Sequence, residues 1–318
     1  MATAKRLYLY IVSAVGLGLV LAAATTLLRL LLDQLGIHPV DPFALPPFNG
    51  AIDFVSPPAD TVRESLSTAV GLLVVGLPLL LIHWGLVERL VRGDGVEAQA
   101  ERQSIVRSFF FAAVLGTLLV LAATSTVDVI REGLARPLGA FDPYARVDVA
   151  GSAAWAVSFW AAWIYFARVR ARDLRQGPTI RRAAAWISRF YLYGAAFVGL
   201  VVAVVSLTAI IGTFLDLLAR PEGMGNRFGG QVLVAGLTVP TAAWWVRPVL
   251  AAAAMAVIWG YLWIGHWLYT DGLNTRGDEQ GQEERASRVR IAFFIGLVAV
   301  GVGLTASAFG QGIGALVG

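Results

Sequence analysis

An all-α polytopic membrane helix bundle, with seven transmembrane helices and a parallel internal duplication at an offset of 183 residues, is the fold class that the sequence predicts. Three observations carry it. The composition is 57% hydrophobic and 14% charged with mean hydropathy +0.69, seven apolar runs reach spanning length, and one set of motifs recurs in a single ungapped register. Charged residues make up about a quarter of ordinary soluble domains. The balance here suits lipid rather than water.

At 1.5 Å of rise per residue, about 20 apolar residues cross roughly 30 Å of hydrocarbon. The runs that qualify are Leu7–Leu32, Leu66–Trp84, Phe109–Val127, Val149–Phe166, Phe190–Leu215, Pro248–Tyr269 and Ile291–Phe309, the fourth being the shortest. Lys5 and Arg6 before the first run, and Ala22-x-Ala24 inside it, resemble parts of a signal peptide. That run exceeds a signal-peptide apolar region and is expected to be a true span. Cysteine is absent, which excludes disulfides, thiolate metal sites and a cysteine nucleophile.

The basic residues set the expected orientation. With the N-terminus inside, Lys5, Arg6, the loop after the second span, the Arg168–Arg189 stretch and the loop after the sixth span bring 17 of the 25 Lys and Arg to the cytoplasmic face. The positive-inside rule then expects N-in and C-out in a bacterial cytoplasmic membrane, and the arginines report topology rather than nucleic-acid binding.

The repeat is read from RLYLY at Arg6, which returns as RFYLY at Arg189. The same offset carries Gly16 onto Gly199, Asp33 onto Asp216, His83–Trp84 onto His266–Trp267, and Glu101, Arg107, Phe110 and Phe111 onto Glu284, Arg290, Phe293 and Phe294. Repeat A is thus 6–111 and repeat B 189–294, joined by the span 149–166 and followed by the last span 291–309. A finer unit lies within them. His83 and His266 each precede an arginine by 24 residues, and Tyr165–Phe166 stands in the His-Trp position 24 residues before Arg189. Because 183 residues contain four crossings, the copies run parallel.

The arginine-aromatic helix opening and the returning helix that ends in His-Trp resemble a bacterial multi-pass membrane family of unknown function. The likeness runs in tandem over Arg6–Trp84, Arg107–Phe166 and Arg189–Trp267, with a half unit from Arg290. The middle unit departs from the pattern with Tyr165–Phe166 and a short outer loop. The resemblance implies a multi-pass fold and no particular activity.

Between the spans, short β-like runs are expected at Ala51–Val55 and Gln231–Ala235, and turns at Gly93-Asp94-Gly95 and Gly177-Pro178. The candidate site is the set His83, Trp84, Arg107, His266, Trp267 and Arg290, with Arg6, Arg189, Tyr165 and Phe166 as repeat-equivalent anchors. Three readings stay open. The aromatics and arginines anchor helix ends at the lipid interface, the arginines reaching the headgroups. Alternatively they line a vestibule or an anionic-lipid site. In the third reading His83 and His266 are axial ligands of one b-type haem.

Asp33 and Asp216 are expected at solvated helix ends, Asp33 beside Arg29 four residues earlier. No acidic or basic side chain falls in the middle of a span, unlike the pattern of ion-coupled carriers. The sequence contains no H-E-x-x-H, no phosphate-binding G-x-x-x-x-G-K loop and no G-x-S-x-G, and Gly223-x-Gly225 with Gly229 reads as a loop. Gly310-x-x-x-Gly314 offers a close-packing or docking face for a membrane-protein partner or a second copy. The function expected is a non-enzymatic scaffold or accessory subunit in the lipid bilayer, with no cofactor. The alternative is a channel-like or ligand-binding protein with a site between the repeats.

A Gly95→Cys variant, in a chain otherwise free of cysteine, is expected to react with a membrane-impermeant maleimide only after the cytoplasmic face is opened. Labelling of sealed cells from outside would overturn the orientation.

Overall fold

The computed structural model of the protein describes residues 3–37, 59–93, 95–135, 138, 148–176, 182–219, 230–234, 237–241 and 245–317. In chain order the elements are α1 (Thr3–Gln34), α2 (Ala59–Val91), α3 (Val96–Arg102), α4 (Ile105–Ala135), α5 (Val149–Gln176) and α6 (Arg182–Ala219). They continue with β1 (Gly230–Val234), β2 (Leu237–Thr241), α7 (Val246–Asn274), α8 (Glu279–Arg285) and α9 (Arg288–Val317). Seven of these, α1, α2, α4, α5, α6, α7 and α9, are long and apolar enough to cross a membrane. Each of the seven apolar runs of the sequence lies inside one of them, and among the described residues the bundle is all-α apart from one hairpin.

A membrane-crossing chain must satisfy its backbone within each segment, which is why the apolar runs are helices. Their ends extend beyond the apolar runs. α5 continues past Phe166 to Gln176 through Arg168, Arg170, Arg172 and Asp173, because arginine is a good helix former and Arg172 and Asp173 find partners inside the protein. Hydroxyl side chains within the spans, such as Ser13, Thr126 and Ser206, donate to the carbonyl four residues earlier. That satisfies them without water.

α1 packs along α2, α6 along α7, and α4 along α5, while α4 also touches α6 and α7 and so joins the two halves. α9 rests chiefly on α6 and is the least covered of the seven. Helix boundaries recur with the 183-residue offset: α3 and α8 are both seven residues long, and α4 and α9 begin at equivalent positions. Between α6 and α7, β1 and β2 pair antiparallel from Gly230↔Thr241 to Val234↔Leu237. The expected β-run at Gln231–Ala235 falls on β1. The run Ala51–Val55, the turn Gly177-Pro178, Asp94 and the glycines Gly223, Gly225 and Gly229 lie outside the described residues. The bundle therefore has one end that carries α3 and α8, called here the α3 end, and an opposite end that carries the hairpin.

Asp33 differs from expectation. It is only 6% exposed, so it is not a solvated helix end, and Arg29 instead pairs with Asp148 at 2.9 Å. A carboxylate just before α5 reaches Arg29 across the hairpin end, where a cross-helix partner displaces the local one.

Two glycines set the helix spacing. A Cβ on Gly16 would stand 2.6 Å from Leu80 N and 3.1 Å from Gly76 O, and a Cβ on Gly199 would stand 2.9 Å from both Trp259 O and Trp263 N. Backbone thus meets backbone between α1 and α2, and again between α6 and α7, as small residues permit in lipid. Gly16→Val should force α1 off α2 and cost about 1–3 kcal/mol, seen as a lower thermal unfolding temperature in mild detergent. Gly18→Val, with nothing within 4 Å of its Cβ, should leave that temperature unchanged.

Candidate functional site

The site is built at the α3 end from the helix openings. Arg107 comes two residues into α4, and its side chain is fully buried. Its Nε donates to Asp173 of α5 at 2.7 Å, its Nη1 to the Tyr10 hydroxyl of α1 at 3.2 Å, and its Nη2 reaches Glu88 of α2 at 3.1 Å and Asp173 at 2.6 Å. One guanidinium therefore bonds four helices. Arg172 adds a second cation to the same carboxylates, 2.7 Å from Glu88 and 3.2 Å from Asp173. Arg107 is thus no headgroup anchor: the carboxylates inside the bundle hold it more effectively than lipid would.

Aromatic rings floor this cluster. Arg107 lies 5.7 Å from the Trp84 ring and 5.0 Å from the Phe111 ring, within cation–π range. Trp84 stacks on Phe110 at 5.5 Å and meets Phe166 edge-on at 5.2 Å, while its indole N–H donates to the Tyr165 hydroxyl at 2.8 Å. The Tyr165–Phe166 pair, which replaces His-Trp in the middle unit, is therefore the partner of the first Trp.

His83 faces away from Arg107. Its Nδ1 donates to the Leu79 carbonyl at 2.9 Å, since a carbonyl only accepts, and its Nε2 faces the Tyr8 hydroxyl at 3.4 Å. His266 repeats the arrangement with Leu262 at 2.8 Å and Tyr191 at 3.4 Å. The haem reading does not fit these contacts. Nε2 is the nitrogen left with a lone pair for iron, and in both copies a tyrosine hydroxyl stands against it.

The same contacts recur 183 residues on. Arg6 pairs with Glu101 at 2.7 Å and Arg189 with Glu284 at 2.6 Å, so each helix opening is tied to the short helix at its own end. Trp267 stacks on Phe293 at 5.7 Å, and Arg290 lies 5.6 Å from Phe294. The second set differs in its polar contacts. Nε of Arg290 and Oγ of Ser287 are buried without a hydrogen-bond partner, while the Tyr193 hydroxyl lies beside Asn274 and Glu284. Their counterparts in the first set, Tyr10 and Arg107, bond one another and two or more carboxylates. Gly310 and Gly314 lie in α9, with their surroundings outside the described residues.

Between the halves, α4 and α5 on one side and α6 and α7 on the other line a partly open cavity of about 460 Å³. Its walls are mostly apolar, and Arg170, Ser188, Tyr191 and His266 stand at its polar end. Of these only His266 was singled out from the sequence. Among the described residues, no group of three or more His, Cys, Asp or Glu could hold a metal.

Residues 6–160 match the family model described as Domain of unknown function (DUF5671). The matched segment runs from the opening of α1 into α5 and so contains Tyr10, Trp84, Glu88, Glu101 and Arg107, but stops before Phe166 and Asp173. No curated protein and no solved structure matches the chain.

Sequence reasoning found Trp84, Arg107, Tyr165 and Phe166, which the fold brings together, and His83 and His266, which it does not join to them. It missed Glu88, Asp173 and Arg170 as site residues. The signal lay in RVRARD from Arg168, where one acid stands among arginines on a helix that has already crossed the membrane. Arg107→Gln should leave Glu88 and Asp173 short of a cation and cost about 3–5 kcal/mol, the usual penalty for breaking a buried ion pair. Thermal unfolding in detergent should show that loss, with a much smaller one for Arg290→Gln.

Proposed function

We propose that the protein is a non-catalytic subunit of a membrane assembly that receives a partner's transmembrane helix on the face of α6 and α9. The observation that carries this reading is a difference between equivalent faces of two helices. On α4, Phe111, Leu115, Leu118 and Ala122 are at most 4% exposed and share one core with Phe159, Phe166 and Val169 of α5. On α9 the residues 183 positions later are Phe294, Val298, Gly301 and Thr305. Phe294 and Val298 are 41% and 66% exposed, and Gly301 and Thr305 are exposed too.

Lipid alone would satisfy an apolar stripe, since acyl chains are as apolar as leucine. It would not satisfy the polar end of this one. Arg290 heads the stripe in the place of Arg107 but, among the described residues, makes no carboxylate bond like that of Arg107 to Asp173, and its Nε and the Oγ of Ser287 are buried without a hydrogen-bond partner. Each such atom costs energy in a low-dielectric setting until a partner arrives. The chemistry asked of the partner is that of α5: a transmembrane helix with a carboxylate near its α3 end and an aromatic residue about two turns deeper.

The same reading treats residues 6–111 and 189–294 as copies of one unit. It sets the protein in a bacterial cytoplasmic membrane with α3 and α8 inside, the side favoured by 17 of the 25 basic residues.

A synthetic peptide of α5, Val149–Gln176, is a probe with the required chemistry. Added to the full-length protein in mild detergent, labelled peptide should bind, and an Asp173→Asn peptide or an Arg290→Gln protein should weaken binding at least tenfold. An Arg290→Asp protein with an Asp173→Arg peptide should restore it. Binding indifferent to all three changes, or no binding to the folded protein, would overturn the proposal.

A further inference from the structure

We infer that the cavity between the two halves is a binding site for an amphiphile with an anionic head, held by Arg170. Arg170 is 8% exposed and lies at the polar end of the cavity. Its contacts are hydroxyls and a ring: it donates to Ser188 Oγ at 2.6 Å and to Ser108 Oγ at 3.5 Å, and stands 5.6 Å from the Phe111 ring. Arg107 and Arg172 contact Glu88 and Asp173, whereas Arg170 contacts neither. Three guanidiniums thus share two carboxylates at this place. Asp173 also attracts Arg170 through space, but the cluster keeps one more positive charge than negative, and Arg170 borders an open space.

A buried cation without a counter-ion is expensive in a low-dielectric environment, so an anion that enters the cavity gains what the protein itself leaves unpaired. Guanidinium suits the task, since its planar fork matches carboxylate and phosphate oxygens two at a time. Ser188 holds the fork from one side and leaves other donors toward the space.

The rest of the cavity calls for a hydrocarbon chain. Trp160 lies ten residues before Arg170 on α5, about 15 Å deeper along the helix. Trp160, Leu115 and Leu262 give the deep part apolar walls. A volume of about 460 Å³ falls within the range of roughly 300–1,000 Å³ usual for small-molecule sites. Arg170 lies six residues before the end of α5, about 9 Å from the α3 end by helical rise. A head at Arg170 would therefore sit near headgroup depth, with its chain pointing into the hydrocarbon layer. Several polar groups of the wall are matched: Trp163 donates to Tyr191 Oη at 3.3 Å, and Tyr191 in turn faces His266 Nε2. Arg170 is left as the group that selects the ligand.

The test is native mass spectrometry of the full-length protein in detergent, titrated with phosphatidylglycerol, oleate, phosphatidylcholine, oleyl alcohol and inorganic phosphate. At least one of the two anionic amphiphiles should bind tenfold or more tightly than its neutral counterpart. The better of the two then tells a membrane phospholipid from a single-chain acid. Inorganic phosphate should bind far more weakly than either. Arg170→Gln should abolish the preference for the anionic head, and Arg170→Lys should retain part of it. Ala167→Phe, which fills the cavity without touching the charges, should reduce binding of every chain-bearing ligand. Because the ligand series on unaltered protein stands by itself, a folding defect in Arg170→Gln would not shield the inference. Equal binding of anionic and neutral amphiphiles, or phosphate binding as tightly as either anionic amphiphile, would overturn it.

Discussion

The first half of this bundle depends on one guanidinium. Arg107 is the point at which α1, α2, α4 and α5 meet, through Tyr10, Glu88 and Asp173, and it is fully enclosed. Four transmembrane helices in lipid gain little from burying apolar surface against one another, because lipid is an equally good apolar neighbour. Specific polar contacts and close packing must decide which helix lies where. A fork with donors in fixed directions fixes register and rotation together, and lysine could not do the same with a single point charge. The glycine contacts act in the same sense: Gly16 against Leu80 sets how near α1 and α2 lie, while Arg107 sets how they are turned.

The location of these charges explains how such a cluster coexists with a membrane fold. No acidic or basic residue stands mid-span, and Arg107, Glu88 and Asp173 all lie within a few turns of the α3 end. There each charge was close to water before the helices assembled, so the cost of burying it is less than at the bilayer centre. The short helices α3 and α8 close that end, tied to the long helices by Arg6–Glu101 and Arg189–Glu284.

The sequence disclosed the fold far more fully than the site. Length and hydropathy mark all seven spans because the membrane imposes them residue by residue, and the 183-residue register appears because it is a comparison of the chain with itself. The site depends on relations that hydropathy cannot express. His83 and Trp84 are neighbours in sequence, yet they face opposite ways: Trp84 turns into the Arg107 cluster and His83 toward Tyr8. A helix rotates about 100° per residue, so adjacency in a motif says little about shared chemistry. Asp173 was obscure for a different reason. It lies past the apolar part of α5, where a charge run ordinarily reads as solvated, and only the extension of α5 into the cluster turns it into a buried partner.

Three arginines of this end do different work because of how many carboxylates each one meets. Arg107 has two and is a structural joint. Arg170 bonds none, only two serine hydroxyls beside the Phe111 ring, and it borders the cavity proposed to take an anionic head. Arg290 occupies the place of Arg107 in the second set, but its buried Nε is unpaired and the stripe below it, Phe294 and Val298, is open. The two sets of contacts thus differ where the first is closed by α5. If both were closed alike, the molecule would present only lipid-facing surface and no reason for a partner. The difference between the two sets is therefore the part of the structure on which the proposed partner rests, a helix with the charge and shape of α5.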